Sequence, residues 1–464
     1  MLNIYIHQLT GPACKRLLIM LCLTFSMVHA ETSDPISNDT LNIDPLDRAH
    51  AHFLELFNDG LYQQAKVAAG QTLEMTRWNY GNSSLEAALA QINLATTQSY
   101  TGDYEAAIEN YTSSIVVIEN IEGIISPRLI NPLMGLASAY NATGGYDLGL
   151  VTYERSLRIN HVELGLQNEQ QMPIRDGLTE SYIALGKLSK ADFQQEVQVS
   201  LLRKEYGENA EQLLPSIYKL ADWYRRTNQP EQEAYQYRTA VRLIHNNADK
   251  QSPAQIEALR KLAAVYQRNN MPGESMRLLK RSYRINAEAD EPDPLLAADI
   301  EVQIGDFYNL FGSRRDAQRY YVSAWNTLEQ LGDQEALLNE YFAVPVNLET
   351  SRLPEVYPNN SKTIARYQQA PDKFMSGYIT AKFDVDTSGR VQNIRIIESN
   401  PTDFLDKQVR MILSRQYYRP RMLDGIPVET MDEQLQHQFG YEIERNDTDE
   451  SEDGGRIERP GSNG

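Results

Sequence analysis

Residues 136–144 of this chain are Leu-Ala-Ser-Ala-Tyr-Asn-Ala-Thr-Gly, and the outline of this stretch recurs at a fixed interval. Its tyrosine is the first of five that are separated by steps of 42 residues: Tyr140, Tyr182, Tyr224, Tyr266 and Tyr308. An aliphatic residue stands four places before each tyrosine, as Leu136, Leu178, Leu220, Leu262 and Ile304. A glycine or asparagine stands four places after it, as Gly144, Gly186, Asn228, Asn270 and Gly312. Such a period indicates an array of stacked helical repeats, which makes a long binding surface more often than an active site.

Composition narrows the function classes. The chain has 464 residues, enough for two or three domains, with 41% hydrophobic and 23% charged residues and a net charge of −19. So much negative charge argues against nucleic acid or an anionic membrane surface as a partner. Both cysteines, Cys14 and Cys22, lie in the first thirty residues. The rest of the chain is therefore expected to lack disulfides, catalytic thiols and cysteine metal sites.

The N-terminus has the pattern of a secretory signal peptide over residues 1–30. Lys15 and Arg16 precede an apolar run from 17 to 28, and Val28-His29-Ala30 is a small-residue cleavage pattern. The apolar run is shorter than the ~20 residues that span a bilayer. An uncleaved membrane anchor is the alternative. Residues 31–46 are rich in Asp, Asn, Ser, Thr and Pro, and are predicted to be a disordered leader.

Each 42-residue unit is predicted to hold two helices. Two stretches with helical apolar periodicity flank the glycine or asparagine, a residue type that tolerates φ > 0 and can end a helix. Stepping back from Gly144 finds the same turn at Gly102 and Gly60. The second helix also repeats, with an aromatic residue nine places after the turn at Tyr111, Tyr153, Tyr237 and Tyr321.

These positions resemble the tetratricopeptide repeat, in which Leu-Gly-x2-Tyr lies on the first helix and Ala-x3-Phe on the second. The usual period is 34, and the 42-residue variant found in kinesin light chain is the closer match. The resemblance implies an all-α tetratricopeptide solenoid of about seven repeats over residues 47–345. It also implies a polar groove on the first helices that binds a partner, lined by Asn141, Glu180, Asp222, Arg225, Gln267, Asp306 and Asn309. Ordinary solvated polar residues are the alternative interpretation of this set.

The periodicity changes toward the C-terminus. Residues 325–342 are predicted to form one more helix, after which Pro345 and Pro354 mark a linker over residues 346–376. Residues 378–385 alternate as a half-buried strand, and 386–389 predict a hairpin turn with glycine in the left-handed conformation. A second strand over 391–399, an amphipathic helix over 401–416 and a third strand over 429–441 follow. The order is ββαβ, a small α+β domain over residues 377–443.

This module resembles the C-terminal domain of the TonB family, from about residue 354 onward. The resemblance lies in residues 382–385 (Lys-Phe-Asp-Val), 389–394 (Gly-Arg-Val-Gln-Asn-Ile), 417–420 (Tyr-Tyr-Arg-Pro) and 425–428 (Gly-Ile-Pro-Val). Members of that family are periplasmic proteins that couple inner-membrane energy to outer-membrane transporters. They carry an uncleaved anchor and a proline-rich spacer, whereas this chain has a cleavable-type leader and a helical solenoid. Residues 444–464, which are acidic and rich in Gly and Ser, are predicted to be a disordered tail.

In the TonB family the last strand is an edge that can accept a partner strand. By that resemblance the edge strand here comprises Glu429, Met431, Glu433, Leu435, His437, Phe439 and Tyr441. Strand addition depends on backbone hydrogen bonds and therefore leaves little trace in the sequence.

Motifs for catalysis, cofactors or metals are not evident. There is no nucleophile elbow, phosphate loop or zinc motif. His50 and His52 lack a carboxylate pair to complete a metal site, and the spacing of Asp384, Asp386 and Gly389 fits a hairpin turn better than a calcium loop. We therefore expect a protein that is not an enzyme and that needs no cofactor.

Two functions remain open at this stage. The first is a periplasmic scaffold, accessory to envelope transport, that binds protein or peptide partners such as outer-membrane transporters or TonB-system components. The second is a membrane-anchored energy transducer of the TonB type, which requires that the N-terminus is kept. In neither case do we expect a nucleic-acid partner, and contact with the membrane is expected only if the N-terminus is uncleaved.

Overall fold

The computed structural model describes residues 44–248, 252–348, 374–444 and 456–457. The signal peptide, the leader, most of the linker and most of the tail predicted above lie outside these residues. In the first two ranges the chain forms fourteen α-helices in seven successive pairs, followed by one more helix. The pairs are α1 (Pro45–Asn58) and α2 (Tyr62–Tyr80), α3 (Leu85–Tyr100) and α4 (Tyr104–Glu122), α5 (Ile130–Ala142) and α6 (Tyr146–Leu164), α7 (Met172–Ala184) and α8 (Leu188–Tyr206), α9 (Leu214–Arg226) and α10 (Pro230–Asn247), α11 (Gln255–Arg268) and α12 (Pro272–Ala287), and α13 (Pro294–Phe311) and α14 (Arg314–Glu329).

The turn inside each pair is a left-handed helix cap. The turn residue has a φ between +54° and +83° in six of the seven pairs, including Asn228 and Asn270. The backbone N–H after this residue then donates to the carbonyl of the repeated tyrosine, at 2.8 Å in the pairs of Tyr140, Tyr182, Tyr224 and Tyr266. This bond satisfies a carbonyl that the helix end leaves unpaired. The predicted role of the glycine and asparagine positions is confirmed in six of the seven pairs, and Gly312 is the exception.

A second series of glycines explains why the period is 42. Helices α2, α4, α6 and α8 each have 19 residues, and three of them end at a glycine with φ of +80° to +92°. The series is Gly81, Gly123, Gly165 and Gly207. A single 3₁₀ turn then leads into the next pair in the third, fourth and fifth repeats, at Pro127–Leu129, Glu169–Gln171 and Glu211–Leu213. Long second helices and these turns lengthen the repeat beyond 34 residues. This second glycine series was not predicted from the sequence.

The repeated aromatic residues of the second helices fill the seam to a neighbouring helix. Tyr111 and Tyr153 are buried, and their rings lie against Gly135 and Gly177 on the first helix of the next repeat. A Cβ added to Gly177 would lie 2.1 Å from the Cζ of Tyr153. Glycine is therefore required for the helices to approach this closely.

The chain divides into two compact units, residues 1–205 and 206–464, and each is described separately. The first unit holds the first four pairs except the last residue of α8. The second unit holds pairs five to seven, the single helix α15 (Gln334–Phe342) and the C-terminal domain. The sequence predicted one helix over 325–342. The structure instead ends α14 at Glu329 and begins α15 after Gly332, because α14 is the second helix of the seventh pair.

The C-terminal domain is an antiparallel sheet with one short helix. The three long strands of the sheet are β2 (Phe374–Val385), β3 (Val391–Asn400) and β7 (Thr430–Glu444), and β2 lies between the other two. Helix α16 (Asp406–Leu413) buries Val409 and Leu413 against the sheet residues Ile379 and Phe383. The predicted ββαβ order is confirmed. The helix is shorter than the predicted 401–416, and the first strand begins at 374 rather than 378.

The described residues of this unit also contain five short strands that were not predicted. They are β1 (Val346–Asn347), β4 (Tyr418–Arg419), β5 (Met422–Leu423), β6 (Ile426–Pro427) and β8 (Arg456–Ile457). Strand β1 pairs with β4, β5 pairs with β6, and β8 pairs with the end of β7 at residues 443–444. Strand β1 lies inside the predicted linker and β8 inside the predicted tail, so both predicted segments contain some regular structure.

Substitution of Gly177 by alanine is expected to destabilise the first unit. The added methyl group would overlap the Tyr153 ring, and overpacking of this kind costs about 1–3 kcal/mol. The matched control is Gly70→Ala in α2, where an added Cβ meets no atom within 4 Å. That control should be neutral or stabilising by up to about 1 kcal/mol, since alanine favours the helix. Thermal unfolding followed by circular dichroism measures both. Equal midpoints for the two variants would contradict the proposed seam.

Candidate interaction sites

The predicted groove residues of the first unit differ in accessibility. Asn141 is buried, and its Nδ2 donates to the Oγ of Ser181 at 2.9 Å. The Oγ of Ser181 in turn lies 3.1 Å from the Oδ1 of Asn141. Asn141 therefore joins the first helices of two successive repeats and is not a groove residue that a partner can reach, which corrects that part of the prediction. Glu180 is exposed.

In repeats five and six the predicted groove residues remain at the surface. Asp222 accepts from Arg225 at 2.5 Å and pairs with Arg226 at 3.0 Å, all on α9. Arg225 is exposed, and Gln267 on α11 is half-buried. Ion pairs within one exposed helix contribute little stability, so these side chains can exchange their present contacts for contacts to a partner.

In repeat seven the predicted groove residues contact the C-terminal domain of the same chain. Asp306 on α13 accepts two hydrogen bonds from Arg419 on β4, from Nε at 2.9 Å and from Nη2 at 2.7 Å. Asn309 donates through Nδ2 to the carbonyl oxygen of Tyr418 at 2.9 Å. Arg419 also donates to the carbonyl of Tyr341 at 3.0 Å. We call these contacts the latch.

The ion pair of the latch is largely buried. The side chains of Arg419 and Asp306 are 12% and 13% exposed. Burial opposes the charge on Arg419, but Asp306 outweighs it, so the pKa of the guanidinium is raised above its ordinary value. Burial, followed by the charge of Asp306, raises the pKa of Tyr321, whose hydroxyl donates to Asp306 at 2.9 Å. The bidentate geometry is the strongest that an arginine and a carboxylate can form.

Apolar contacts and backbone pairing extend the latch. Met422 on β5 is buried in a cluster with Trp325 and Phe342, which belong to the helical part of the unit. Gly425 lies against Trp325, at a distance where an added Cβ would be 3.4 Å from the indole. Residues 346–347 pair with 418–419 as β1 and β4. The segment 417–428, part of which carries the resemblance to the TonB family, therefore holds the domain to repeat seven.

The predicted edge strand lies at its expected place in the sheet. Strand β7 pairs with β2 on one side, and on its other side the described residues pair only at 443–444, with β8. At least three of the seven residues predicted to form the edge pack on the domain core. Phe439 and Tyr441 are buried against Phe404, and Leu435 packs against the same cluster.

The direction of the backbone groups on β7 follows from the central strand. Successive residues of a strand point their N–H and C=O groups alternately to the two neighbouring strands. Asp386, at the end of β2, donates its N–H to the carbonyl of Arg390 on the β3 side at 3.0 Å. The register shifts place the extra residues in β3 and β7, so β2 itself alternates without interruption. The even-numbered residues of β2 therefore direct their backbone N–H and C=O groups toward β3. Ile379, Ala381 and Phe383 direct theirs toward β7.

The partners of those three residues are His437, Leu435 and Glu433, so the odd-numbered residues of β7 bond to β2. The even-numbered residues must direct their backbone groups to the opposite side. Gln434 and Gln436 have exposed side chains and backbone groups that face the open edge. The predicted edge set contains only odd-numbered residues, so these two glutamines lie between its members.

The start of the edge is closed by a bulge. The N–H of Asp432, which has a φ of +58°, donates to the buried carboxylate of Asp384 at 2.9 Å. Asn393 donates to the other oxygen of Asp384 at 2.7 Å. These two hydrogen bonds, in that order, lower the pKa of Asp384 below its ordinary value. The bulge takes one N–H away from the edge, so the backbone groups open to a partner begin after Asp432.

Among the described residues no group of three or more His, Cys, Asp or Glu is placed to hold a metal ion. The Nδ1 of His52 lies 3.9 Å from the carboxylate of Glu55. The helices in the described ranges also include none that is both long and apolar enough to cross a membrane.

Substitution of Arg419 by alanine is expected to release the C-terminal domain from repeat seven. Asp306 would remain as a buried, unpaired charge, which costs about 3–5 kcal/mol. Release exposes Trp325, so its fluorescence should shift to the red. A Trp78→Phe background removes the strongly exposed indole of Trp78 from the signal. Arg421→Ala is the matched control because Arg421, two residues away, forms no ion pair with the described residues. An unshifted emission in a folded Arg419→Ala variant would contradict the latch.

The C-terminal domain matches the family model of the Gram-negative bacterial TonB protein C-terminal over residues 367–439. No curated protein matches the chain. Solved structures with similar folds include TPR-like repeats from Podosopora anserina assigned to a kinesin light chain, which are 16% identical, cover 53% of this chain and 96% of that chain, and have a TM-score of 0.31.

Two further structures are BtubC (BKLC) from P. vanneervenii and pilF from Pseudomonas aeruginosa. The first is 18% identical, covers 49% of this chain and 91% of that chain, and has a TM-score of 0.37. The second is 14% identical, covers 56% of this chain and 97% of that chain, and has a TM-score of 0.33. All three TM-scores are low, so the repeat assignment rests on the helix pairs themselves. The chain is therefore a helical repeat protein of seven helix pairs in a 42-residue register, and its C-terminal domain matches the TonB family model.

Proposed function

We propose that this protein is a non-enzymatic scaffold of the periplasm that joins protein partners, accessory to transport across the cell envelope. The observation that carries the proposal is the open edge of β7, where Gln434 and Gln436 direct backbone groups outward. Unpaired edge groups are a template for an added strand. Addition of a strand gains affinity from the main chain and selectivity from alternate side chains.

A second partner site is proposed on repeats five and six. Asp222, Arg225 and Gln267 occupy the predicted groove positions there and stay accessible, whereas the equivalent residues of repeat seven are used by the latch. An extended partner segment could replace the local ion pairs of α9 with intermolecular ones. Two sites in one chain would allow the protein to bring two envelope proteins together.

Substitution of Gln436 by proline is expected to weaken strand addition. Proline lacks the outward N–H, and the net value of one hydrogen bond, about 1 kcal/mol, corresponds to roughly a fivefold loss of affinity. The sheet should stay intact because this N–H does not face β2. Gln436→Thr, which keeps the donor, is the matched control. Yields of crosslinked partners from envelope extracts provide the measurement, with circular dichroism as the test of folding. Equal yields for the two folded variants would argue against the edge.

The competing function is a membrane-anchored transducer of the TonB type. It requires that the apolar run after Lys15 and Arg16 remains on the protein. The scaffold proposal instead predicts that the mature protein begins at Glu31, after cleavage at Ala30. Mass spectrometry of the protein purified from a Gram-negative host locates the N-terminus. A retained leader that co-sediments with the inner membrane would favour the transducer.

A further inference from the structure

The charge of the chain is unevenly distributed. The net charge is −19, yet residues 255–287, which form α11 and α12, contain seven lysines and arginines against two glutamates. A local surplus of positive charge on an acidic protein attracts partners that the whole molecule would repel. The surface that carries this positive charge is therefore the one expected to contact an acidic partner.

Four of the exposed cations occupy equivalent positions on successive second helices. Arg238 on α10 and Lys280 on α12 are one 42-residue step apart, and so are Arg242 and Arg284. All four side chains are exposed. Each helix presents its two cations at i and i+4, on one face. We call these two pairs the basic rows.

The fold does not require cations at these positions. In the first four repeats the position of Arg238 holds Gly70, Thr112, Glu154 and Glu196. The position of Arg242 holds Glu74, Val116, Arg158 and Ser200. The repeat architecture forms with neutral, acidic or basic residues at both positions. The basic rows are therefore a property of repeats five and six rather than of the solenoid.

The basic rows are not neutralised by the described residues. No carboxylate of these residues lies within salt-bridge distance of the four side chains, and Arg238 donates only to the hydroxyl of Tyr266 at 3.1 Å. The latch lies elsewhere, on the first helix of repeat seven. The exposed tyrosines Tyr235 and Tyr283 lie on the same two helices.

We propose that the basic rows bind an acidic segment of a protein partner. Arginine pairs with carboxylates through two parallel hydrogen bonds, and tyrosine and arginine are both enriched at the energetic centres of protein interfaces. A long polyanion, such as a nucleic acid or an anionic membrane, is less suited to this surface than a short acidic segment. Acidic residues between Glu288 and Asp293 directly follow α12 and would repel a continuous charged surface such as a membrane or a nucleic acid.

The test compares the full-length protein with the variant Arg242→Glu/Arg284→Glu. The probe is a fluorescein-labelled peptide rich in glutamate, and its binding is followed by fluorescence anisotropy at low and high salt. The reversal should weaken binding at least tenfold, and high salt should weaken binding to the native protein, because exposed charge pairs are screened. Arg158→Glu/Lys187→Glu makes the same change of charge on exposed residues of the first unit and should leave binding unchanged.

Three outcomes would overturn the proposal. The first is no peptide binding at low salt. The second is an equal loss of peptide affinity in both charge-reversal variants, which would show that the affinity depends only on the net charge of the chain. The third is preferential binding of vesicles containing anionic phospholipid, or of single-stranded DNA, lost on reversal of the basic rows while the peptide does not bind. Circular dichroism spectra of the variants establish that each is folded.

Discussion

The left-handed turn between the two helices of each repeat is the constraint on which the array depends. A residue with positive φ reverses the chain, and the following N–H closes on the tyrosine carbonyl at 2.8 Å in four of the pairs. Asparagine serves at residues 228 and 270 because it tolerates this conformation better than other residues with a Cβ. The seventh pair departs from the pattern, with Gly312 at a φ of −141°. That same pair carries the C-terminal domain.

Because of the latch, the predicted groove positions of repeat seven bind the C-terminal domain of the same chain instead of a separate partner. Asp306 and Asn309 occupy positions that would face a partner, and the chain's own β4 segment fills them. A buried ion pair adds little net stability compared with an apolar contact, but it fixes one geometry, because a misaligned charge would be left unpaired. The latch therefore orients the domain, while Met422 against Trp325 supplies apolar burial. The β7 edge and the surface of repeats five and six remain accessible in the second unit.

Much of the fold could be predicted because it is set by local chemistry. Helix pairs follow from apolar periodicity and from the glycine and asparagine positions, and the hairpin of the C-terminal domain follows from alternation up to Gly389. The second glycine series was within reach of the same reasoning, since Gly81, Gly123, Gly165 and Gly207 keep the 42-residue step. The helix predicted over 325–342 was wrong because apolar periodicity alone does not reveal the break between α14 and α15.

The candidate sites were less predictable because accessibility depends on contacts distant in sequence. Asn141 is buried and bonded to a serine 40 residues away, and Asp306 is paired with an arginine 113 residues away. The sequence by itself determined the repeat, its turns and the order of the strands, since these depend on residue type and local periodicity. Only the tertiary structure decided which polar residues stay accessible and which side of β7 is open, because burial and strand pairing arise where distant segments meet.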